Sequence, residues 1–210
     1  MLQLDAQFDR LPLISILRGV RANQILSIAE GLYAAGMRII EIPLNSPDAL
    51  LSLELLAQTF SNELICGAGT VLSPQQVKDV QNAGGKIIVS PNCNVQVISA
   101  TISRNLISLP GIASPSEAFS AIAAGASRLK LFPALSYGTS HLVALKSVLP
   151  SEVKMYPVGG VDETNLMSWI NAGADGAGFG SSLYQAHDCV DDVKSRALVL
   201  QQCWRDRHAS

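Results

Sequence analysis

A lysine lies inside one of the short apolar segments of this sequence. Lys130 stands in the run Arg-Leu-Lys-Leu-Phe-Pro with a leucine on each side, a pattern typical of a buried strand. Burial, and any neighbouring cation, would lower the pKa of this amine, and a neutral amine is a nucleophile that can form a Schiff base with a carbonyl carbon. The alternative is a lysine whose charged end reaches solvent or pairs with a carboxylate. The pattern alone leaves both interpretations open.

Two more charged residues interrupt apolar segments. Glu41 lies within Ile-Ile-Glu-Ile-Pro-Leu-Asn, and Arg18 follows Ile-Leu at the end of an earlier segment. A carboxylate beside a strand lysine can carry protons. An arginine at the end of a neighbouring strand can bind a substrate carboxylate or phosphate. A structural ion pair between Glu41 and Arg18 is the alternative.

Two glycine-rich segments suggest where an anion binds. Residues 157–161 read Pro-Val-Gly-Gly-Val and residues 178–182 read Gly-Phe-Gly-Ser-Ser. Glycine allows backbone N–H groups to approach phosphate oxygens closely. In parallel (β/α)8 barrels, the loops after the last two strands commonly bind phosphate. Glycines in ordinary tight turns are the alternative, but two such segments in succession favour a phosphate site.

Three uncharged residues are weaker candidates for lining a pocket shared by these charged and glycine-rich segments. Thr70 ends the run Gly-Ala-Gly-Thr, where small side chains leave space and the hydroxyl can donate to a carboxylate or carbonyl oxygen. Asn92 and Phe132 are candidates for lining the pocket. No chemistry is assigned to Trp169, Trp204 or the four cysteines, because such side chains at helical spacing usually pack.

The elements that position these residues alternate along the chain without a linker. Short segments rich in β-branched residues alternate with longer segments of helical period. The eight predicted strands are residues 13–18, 39–44, 64–70, 86–91, 106–110, 128–133, 154–159 and 176–181. The eight predicted helices are residues 23–35, 47–60, 74–83, 95–104, 115–124, 140–149, 163–172 and 190–205. Several begin at Ser-Pro pairs, namely those of Ser46, Ser73 and Ser114, and several end at glycine.

This alternation predicts an α/β protein in which residues 1–210 form a small single-domain TIM-type (β/α)8 barrel. Such a barrel places its active site at the carboxyl ends of the strands, so Lys130, Glu41 and Arg18 are expected to meet there. An open, doubly wound parallel sheet is the alternative. It would normally carry a glycine fingerprint after the first strand, where this chain reads Leu-Arg-Gly-Val-Arg-Ala-Asn.

Composition argues against several classes of function. Of the 210 residues, 48% are hydrophobic and 15% are charged, which indicates a globular chain with a sizeable core. A formal net charge of -2 is too balanced to predict a nucleic-acid partner. No apolar stretch approaches the roughly 20 residues that span a bilayer, so no membrane partner and no signal peptide are expected.

The cysteines and histidines predict neither a disulfide framework nor a metal site. The four cysteines show no Cys-x-x-Cys spacing, so they are expected to be free thiols in the cytoplasm. The three histidines are isolated, and no metal or other cofactor is expected.

Together these segments resemble those of a known enzyme family, the class I 2-keto-3-deoxy-6-phosphogluconate and 6-phosphogalactonate aldolases. The resemblance covers essentially the whole chain, and the order and spacing of seven segments make it specific. They are ILRG (16–19), EIPLNSP (41–47), GAGTVL (67–72), SPN (90–92), LKLFPA (129–134), VGGV (158–161) and GFGSSLY (178–184).

The resemblance implies a homotrimer of small barrels that cleaves a 2-keto-3-deoxy-6-phospho sugar acid into pyruvate and glyceraldehyde 3-phosphate. It implies that Lys130 forms the Schiff base, that Glu41 moves protons, and that Arg18 and Thr70 hold the pyruvate end. The implied phosphate ligands are backbone and hydroxyl groups of Gly160, Gly180 and Ser181, with Gly159 beside them.

One departure from the family pattern selects a branch. Gluconate-type members usually carry an arginine four residues after the catalytic glutamate, whereas this chain has Asn45 there. The string EIPLNSP resembles the galactonate branch, which implies a role in D-galactonate catabolism. Since alternate strand residues share a face, Asn45 is expected to lie beside Glu41, near substrate C4, if the strand stays regular past Pro43. A gluconate-type or dual-epimer aldolase is the alternative.

Two other functions fit a barrel with a phosphate site. A phosphosugar isomerase or synthase would share the glycine-rich segments but would not need a lysine in the sixth strand. Fold analogy alone does not exclude a non-catalytic phosphate-binding protein. Trapping of pyruvate with borohydride separates these functions from a Schiff-base aldolase.

Overall fold

Strands and helices alternate along the computed structural model, which describes residues 2–206. The strands are β1 (Leu13–Ile16), β2 (Ile39–Pro43), β3 (Ile65–Gly69), β4 (Ile87–Val89), β5 (Ile107–Leu109), β6 (Gly111–Ile112), β7 (Arg128–Leu131), β8 (Lys154–Pro157) and β9 (Ala177–Phe179). The helices are α1 (Leu2–Arg10), α2 (Ile25–Ala34), α3 (Ala49–Phe60), α4 (Pro74–Asn82), α5 (Val95–Ile102), α6 (Pro115–Ala123), α7 (Ala134–Tyr137), α8 (Thr139–Lys146), α9 (Leu166–Asn171) and α10 (Val190–Asp206).

The strands form a closed parallel barrel. Six of them pair in the order β5-β4-β3-β2-β1-β9, and three pair in the order β6-β7-β8. Only Pro110 separates β5 from β6, which together make one interrupted strand, and a bridge between Val158 and Gly178 links β8 to β9. The barrel therefore has eight strands, which confirms the predicted fold and excludes the open doubly wound sheet.

Most strands end one or two residues before the predicted ends. The residues beyond these ends form the loops at the carboxyl side of the barrel. Arg18, Thr70, Gly159 and Ser181 therefore lie in loops and not in strands. In a parallel barrel these loops surround the mouth in which active sites lie.

Alternate strand residues form two apolar layers, as the two-residue period of a strand requires. Side chains pointing into the barrel form an inner cluster that includes Ile14, Ile39, Ile65, Ile87 and Ile107. The intervening residues pack between the strands and the surrounding helices in a larger cluster. Because the interior is apolar over most of its length, the few charged side chains in it need a separate explanation.

Helix α1 covers the amino-terminal end of the barrel, and the sequence did not predict it. Phe8 is fully buried, and its ring meets the ring of Tyr156 edge-on with 5.6 Å between centroids. Arg128 is buried at the same end and donates to Asp5 at 2.7 Å and to Asp9 at 3.0 Å. The helix thus closes one end of the barrel with an aromatic contact and an ion-pair network.

Two of the three predicted serine caps are confirmed, and the third is wrong. Ser73 and Ser114 accept hydrogen bonds from backbone N–H groups of α4 and α6, each as part of a capping box. By contrast, α3 begins only at Ala49, and the Ser46 hydroxyl accepts a hydrogen bond from the Gly19 N–H at 2.9 Å. Ser46 therefore joins the loops that follow β1 and β2.

The predicted glycine stops follow the helices as expected. Gly36, Gly84, Gly125 and Gly173 have φ between 84° and 101°, the left-handed region in which glycine commonly ends a helix. Among residues 2–206, no helix is both long and apolar enough to cross a membrane.

Candidate active site

Lys130 and Glu41 point into one cavity at the carboxyl ends of the strands. Lys130, on β7, pairs in register with Gly111 and Tyr156, and Glu41, on β2, pairs with Ile16. The exposed fraction is 7% for Lys130 and 2% for Glu41. Both side chains line a cavity of about 640 Å³. The structure thus brings a buried amine and a buried carboxyl group to the same barrel mouth.

Strand β7 gives its two charged residues different environments. Arg128 and Lys130 are two residues apart, so both point into the barrel, while Leu129 and Leu131 belong to the outer apolar cluster. Arg128 lies at the end closed by α1 and is held by carboxylates there. Lys130 lies at the open end, where a substrate can reach its amine.

The Glu41 carboxyl group is buried with one oxygen, Oε2, making no hydrogen bond. Burial raises its pKa to about 7, although the positive charges of Lys130 and Arg18 oppose this shift. Gly69, on β3, makes room for the group, since a Cβ atom there would lie 2.0 Å from Oε2. A carboxyl group with a pKa near neutrality can both take up and release protons at physiological pH.

The Lys130 amine lies over the ring of Phe132, 4.5 Å from its centroid. Burial lowers its pKa, the charge of Glu41 opposes that shift, and Arg18 adds to it. Within the part of the chain that the structure describes, no ion pair holds this amine. The alternative of a lysine paired with a carboxylate or extended to solvent is therefore not what the structure shows.

Arg18 lies in the loop after β1 and lines the cavity. Its Nη1 donates to Oδ1 of Asn45 at 2.8 Å. No ion pair between Arg18 and Glu41 occurs among the described residues, so the structural-pair alternative is excluded. The Arg18 guanidinium therefore keeps donors available to an anion in the cavity.

Asn45 does not continue the face of Glu41 as the sequence suggested. β2 ends at Pro43, and Asn45 lies in the following turn with an exposed side chain. It is absent from the cavity wall and meets the site through Arg18. β2 does not continue past Pro43, so the condition for placing Asn45 beside Glu41 is not met.

Thr70 lines the cavity just after β3 with an unusual backbone. Its φ is 57°, in the left-handed region that β-branched residues rarely adopt. Such strain is commonly found at functional sites because the surrounding structure enforces a required side-chain direction.

The glycine-rich loops form the wall of the cavity beside Lys130. Gly159, Gly160, Gly180 and Ser181 all line it, and no atom lies within 4 Å of the position that a Cβ atom would take on Gly180. The open space beside Gly180 leaves its backbone accessible from the cavity. Backbone N–H groups and a hydroxyl here suit a phosphate.

Several wall residues were not predicted, and Asn92, like Asn45, lies outside the wall. Val158, Asp162, Ser182 and Gln185 line the cavity next to the glycines. Their proximity to the predicted glycines was the only signal for them in the sequence. Asn92 is exposed in the loop after β4 and does not line the cavity, where its neighbour Pro91 does.

Comparison with known proteins places the chain in a family. The family model described as KDPG and KHG aldolase matches residues 4–195. This chain belongs to the KDPG and KHG aldolase family. A family relative, 2-dehydro-3-deoxy-6-phosphogalactonate aldolase from Escherichia coli K12, is 40% identical over 197 residues, which cover 94% of this chain and 96% of the relative.

Two solved structures of aldolases agree with this membership. The structure described as native KDPGal matches with a TM-score of 0.94 and 39% identity, covering 95% of this chain and 97% of that one. KDPG aldolase from Legionella pneumophila, with pyruvate captured as a covalent carbinolamine intermediate, matches with a TM-score of 0.82 and 31% identity, covering 95% and 96%. The family resemblance of the seven sequence segments is thereby confirmed.

Proposed function

We propose that this chain is a 2-dehydro-3-deoxy-6-phosphogalactonate aldolase, which cleaves its substrate into pyruvate and D-glyceraldehyde 3-phosphate through a Schiff base and without a metal. The single observation that carries this proposal is the joint burial of Lys130 and Glu41 in one cavity, one wall of which is built from glycine-rich loops. An isomerase or a simple phosphate-binding protein would not need a buried lysine with a lowered pKa.

Lys130 begins the reaction as a nucleophile. Because burial lowers its pKa, a larger fraction of the amine is neutral at physiological pH than for a free lysine. The amine adds to the C2 ketone to form a carbinolamine, which loses water and becomes an iminium. The iminium nitrogen then accepts the electron pair of the C3–C4 bond when that bond breaks.

Glu41 carries the protons of both half-reactions. It takes the proton of the C4 hydroxyl, directly or through water, so that C4 becomes the aldehyde carbon of glyceraldehyde 3-phosphate. The pyruvate enamine left on Lys130 receives a proton at C3 from the same carboxyl group. Water then hydrolyses the iminium and releases pyruvate with the free amine. A pKa of about 7 suits a group that must act in both directions.

The two ends of the substrate are held by different groups. Arg18 and Thr70, on the Glu41 side of the cavity, suit the carboxylate of the pyruvate half. Gly159, Gly160, Gly180 and Ser181 suit the phosphate. This assignment leaves the C2 carbonyl between the two anionic ends, where Lys130 reaches it.

Asn45, rather than arginine, four residues after Glu41 supports the galactonate substrate. The Escherichia coli relative, 40% identical, and the structure described as KDPGal, 39% identical, support the same branch. The Legionella KDPG aldolase is less similar, with 31% identity. We therefore assign the chain to galactonate catabolism.

The test is cleavage of the two C4 epimers side by side, with pyruvate measured in the presence of a chelator. We expect a higher kcat/KM for the galactonate phosphate than for the gluconate phosphate. A reversed preference would assign the chain to the gluconate branch. Cleavage of neither epimer by folded protein would contradict the aldolase activity itself.

We also propose a cytoplasmic homotrimer. Exposed apolar side chains on α3 and α6 support burial between subunits, and they include Leu50, Leu51 and Phe119. All four cysteines are free thiols, which supports a reducing compartment. Light scattering should give three times the 22.2 kDa chain mass, and a mass of one chain would contradict the trimer.

A further inference from the structure

A second cavity of about 640 Å³ lies at the end of the barrel opposite the active site. Its walls come from the end of α1, from the turns that precede β2 and β3, and from the last turns of α10. These segments lie at the amino ends of the strands, whereas the loops around Lys130 follow their carboxyl ends. None of the residues assigned to catalysis or substrate binding lines this cavity.

The wall of this cavity is positively charged. Arg10, Arg38 and Arg205 line it, with Glu63 as the carboxylate among the lining residues. Three cations against one anion leave an excess of two positive charges, although the whole chain has a net charge of -2. Within residues 2–206, the guanidinium groups of Arg10 and Arg205 form no ion pair. Their charges are therefore available to an anion.

The guanidinium of Arg38 is held in place by its neighbours. Its Nη1 donates to the carbonyl oxygens of Tyr33 at 2.9 Å and Met37 at 2.7 Å. Its carbon Cζ lies 4.0 Å from the centroid of the Tyr33 ring. These contacts fix the group, and its other N–H groups make no hydrogen bond to the residues that the structure describes. A preorganised guanidinium loses little entropy when it binds an anion.

A buried amide completes the polar wall. Gln201, on α10, is only 7% exposed, yet its side chain makes no hydrogen bond to any described residue. Its Nε2 lies against Gly36, where an added Cβ atom would be 1.7 Å away. Because both residues line the cavity, the amide is confined beside it. The polar atoms of Gln201 are not among the fully buried ones that lack a partner, so the amide still reaches the open space of the cavity, where it can donate to a ligand.

We propose that this cavity binds a small phosphate-bearing anion. The excess of two positive charges matches a phosphate dianion, and arginine donors suit phosphate oxygens. Three guanidinium groups and an amide offer more hydrogen-bond donors than the two oxygens of one carboxylate can accept. A phosphate group, which has more oxygens, therefore fits these donors better than a carboxylate. The cavity volume lies within the range of small-molecule sites, so a phosphate ester as well as inorganic phosphate can enter.

The test uses Trp204, which lines the cavity and so reports on it by fluorescence. Inorganic phosphate and glycerol 3-phosphate are titrated separately against the full chain at constant ionic strength. We expect a saturable fluorescence change with at least one of them. Tighter binding of the ester assigns the site to phosphorylated metabolites, and tighter binding of phosphate assigns it to the inorganic ion. No saturable change with either would overturn the proposal.

Variants separate this site from the active site. Arg10→Gln together with Arg205→Gln should weaken the fluorescence response on the order of ten-fold or more, while inhibition of cleavage by phosphate is unchanged. Arg104→Gln, which removes one positive charge from the turn after α5 and outside the cavity, is the control and should bind phosphate normally. A response that survives in the double variant would show that phosphate acts elsewhere and would overturn the proposal.

Gln201→Met provides a second, independent variant. It keeps the volume of the side chain but removes the amide, so phosphate binding should weaken several-fold without loss of unfolding free energy. Gln202→Met, at the exposed neighbouring position, is its control. Unchanged phosphate binding in Gln201→Met would contradict a role for the buried amide at this site.

Discussion

Lys130 and Glu41 have their protonation equilibria shifted by the same cause, which is burial. Burial disfavours the charged form of each, so the pKa of the amine falls and that of the carboxyl group rises. Their mutual attraction opposes both shifts but does not cancel them. The pair therefore presents a nucleophile whose pKa is lowered and a proton carrier whose pKa lies near neutral pH.

Glu41→Gln should slow both cleavage and the exchange of pyruvate methyl protons by a factor on the order of 10² or more. The substitution removes the proton carrier and changes the side-chain volume little, so the fold should persist. Stopped assays of cleavage and proton exchange by NMR measure the two effects, with circular dichroism as the folding control. Near-normal turnover in a folded variant would return Glu41 to a structural role.

The raised pKa of Glu41 also predicts how stability depends on pH. The folded state binds the proton more tightly than the unfolded chain, whose ordinary value is 4.5. The contribution of Glu41 to the unfolding free energy is therefore fully present below pH 4.5 and is lost as the pH rises to about 7.

The Glu41→Gln variant has no carboxyl group at this position, so it does not lose this contribution as the pH rises. The unfolding free energy of the variant minus that of the native chain should therefore increase between pH 5 and pH 8. The increase should be on the order of 3 kcal/mol. Urea unfolding of both proteins at the two pH values measures it. A difference that stays constant, or that falls with pH, would contradict a buried carboxyl group.

Asn45 is expected to act through Arg18 and not on the substrate directly. The sequence alone placed Asn45 near C4, the carbon at which the two epimers differ. The structure instead has Asn45 accept a hydrogen bond from Arg18. We propose that Arg18 holds the pyruvate end, which both epimers share.

We therefore expect Asn45→Ala to raise KM for both epimers several-fold, with little change in their ratio of kcat/KM. Steady-state kinetics on both phosphates measures the ratio, and Asn45→Asp, which keeps an acceptor for Arg18, should restore binding. A ratio that moves ten-fold in the alanine variant would show that Asn45 reads C4 after all.

Helix α1 packs on the amino-terminal end of the barrel and is expected to stabilise the fold. Phe8→Ala should lower the unfolding free energy by about 3 to 5 kcal/mol, since the ring is fully buried against Tyr156. The kcat of the folded variant should be retained, because α1 lies at the end opposite Lys130.

Chemical unfolding and steady-state kinetics test this prediction together. Leu198→Ala, on the exposed side of α10, is the control and should cost much less. A variant at Phe8 that keeps full stability would show that the cover is not part of the folded core.

The elements that follow a repeated local pattern were predictable, and those outside it were not. Ser73 and Ser114 precede their helices by the usual cap geometry, so the helix starts were correct. Ser46 has the same Ser-Pro pattern, but a contact distant in sequence, with Gly19, decides its role. Helix α1 precedes the first strand and so lies outside the repeat, and the short helix α7 lies before the predicted helix 140–149 and was not predicted either.

In the whole molecule, the contacts that stabilise the fold and the groups proposed to carry the chemistry lie at opposite ends of the barrel. The closed end carries α1 and the ion pairs of Arg128, and the open end carries Lys130, Glu41 and the glycine-rich loops. This division explains why the sequence predicted most of the site. A charge in an apolar strand is informative by itself, whereas the placement of exposed loop residues such as Asn45 and Asn92 depends on turns that only the folded chain defines.

In the proposed reaction, Lys130 forms the Schiff base of a pyruvate-yielding aldolase. Borohydride reduction in the presence of pyruvate, followed by peptide mass spectrometry, tests it most directly. We expect a stable adduct on the peptide that contains Lys130, formed in the presence of a chelator and absent in Lys130→Met. An adduct on another lysine, or none in active protein, would contradict it.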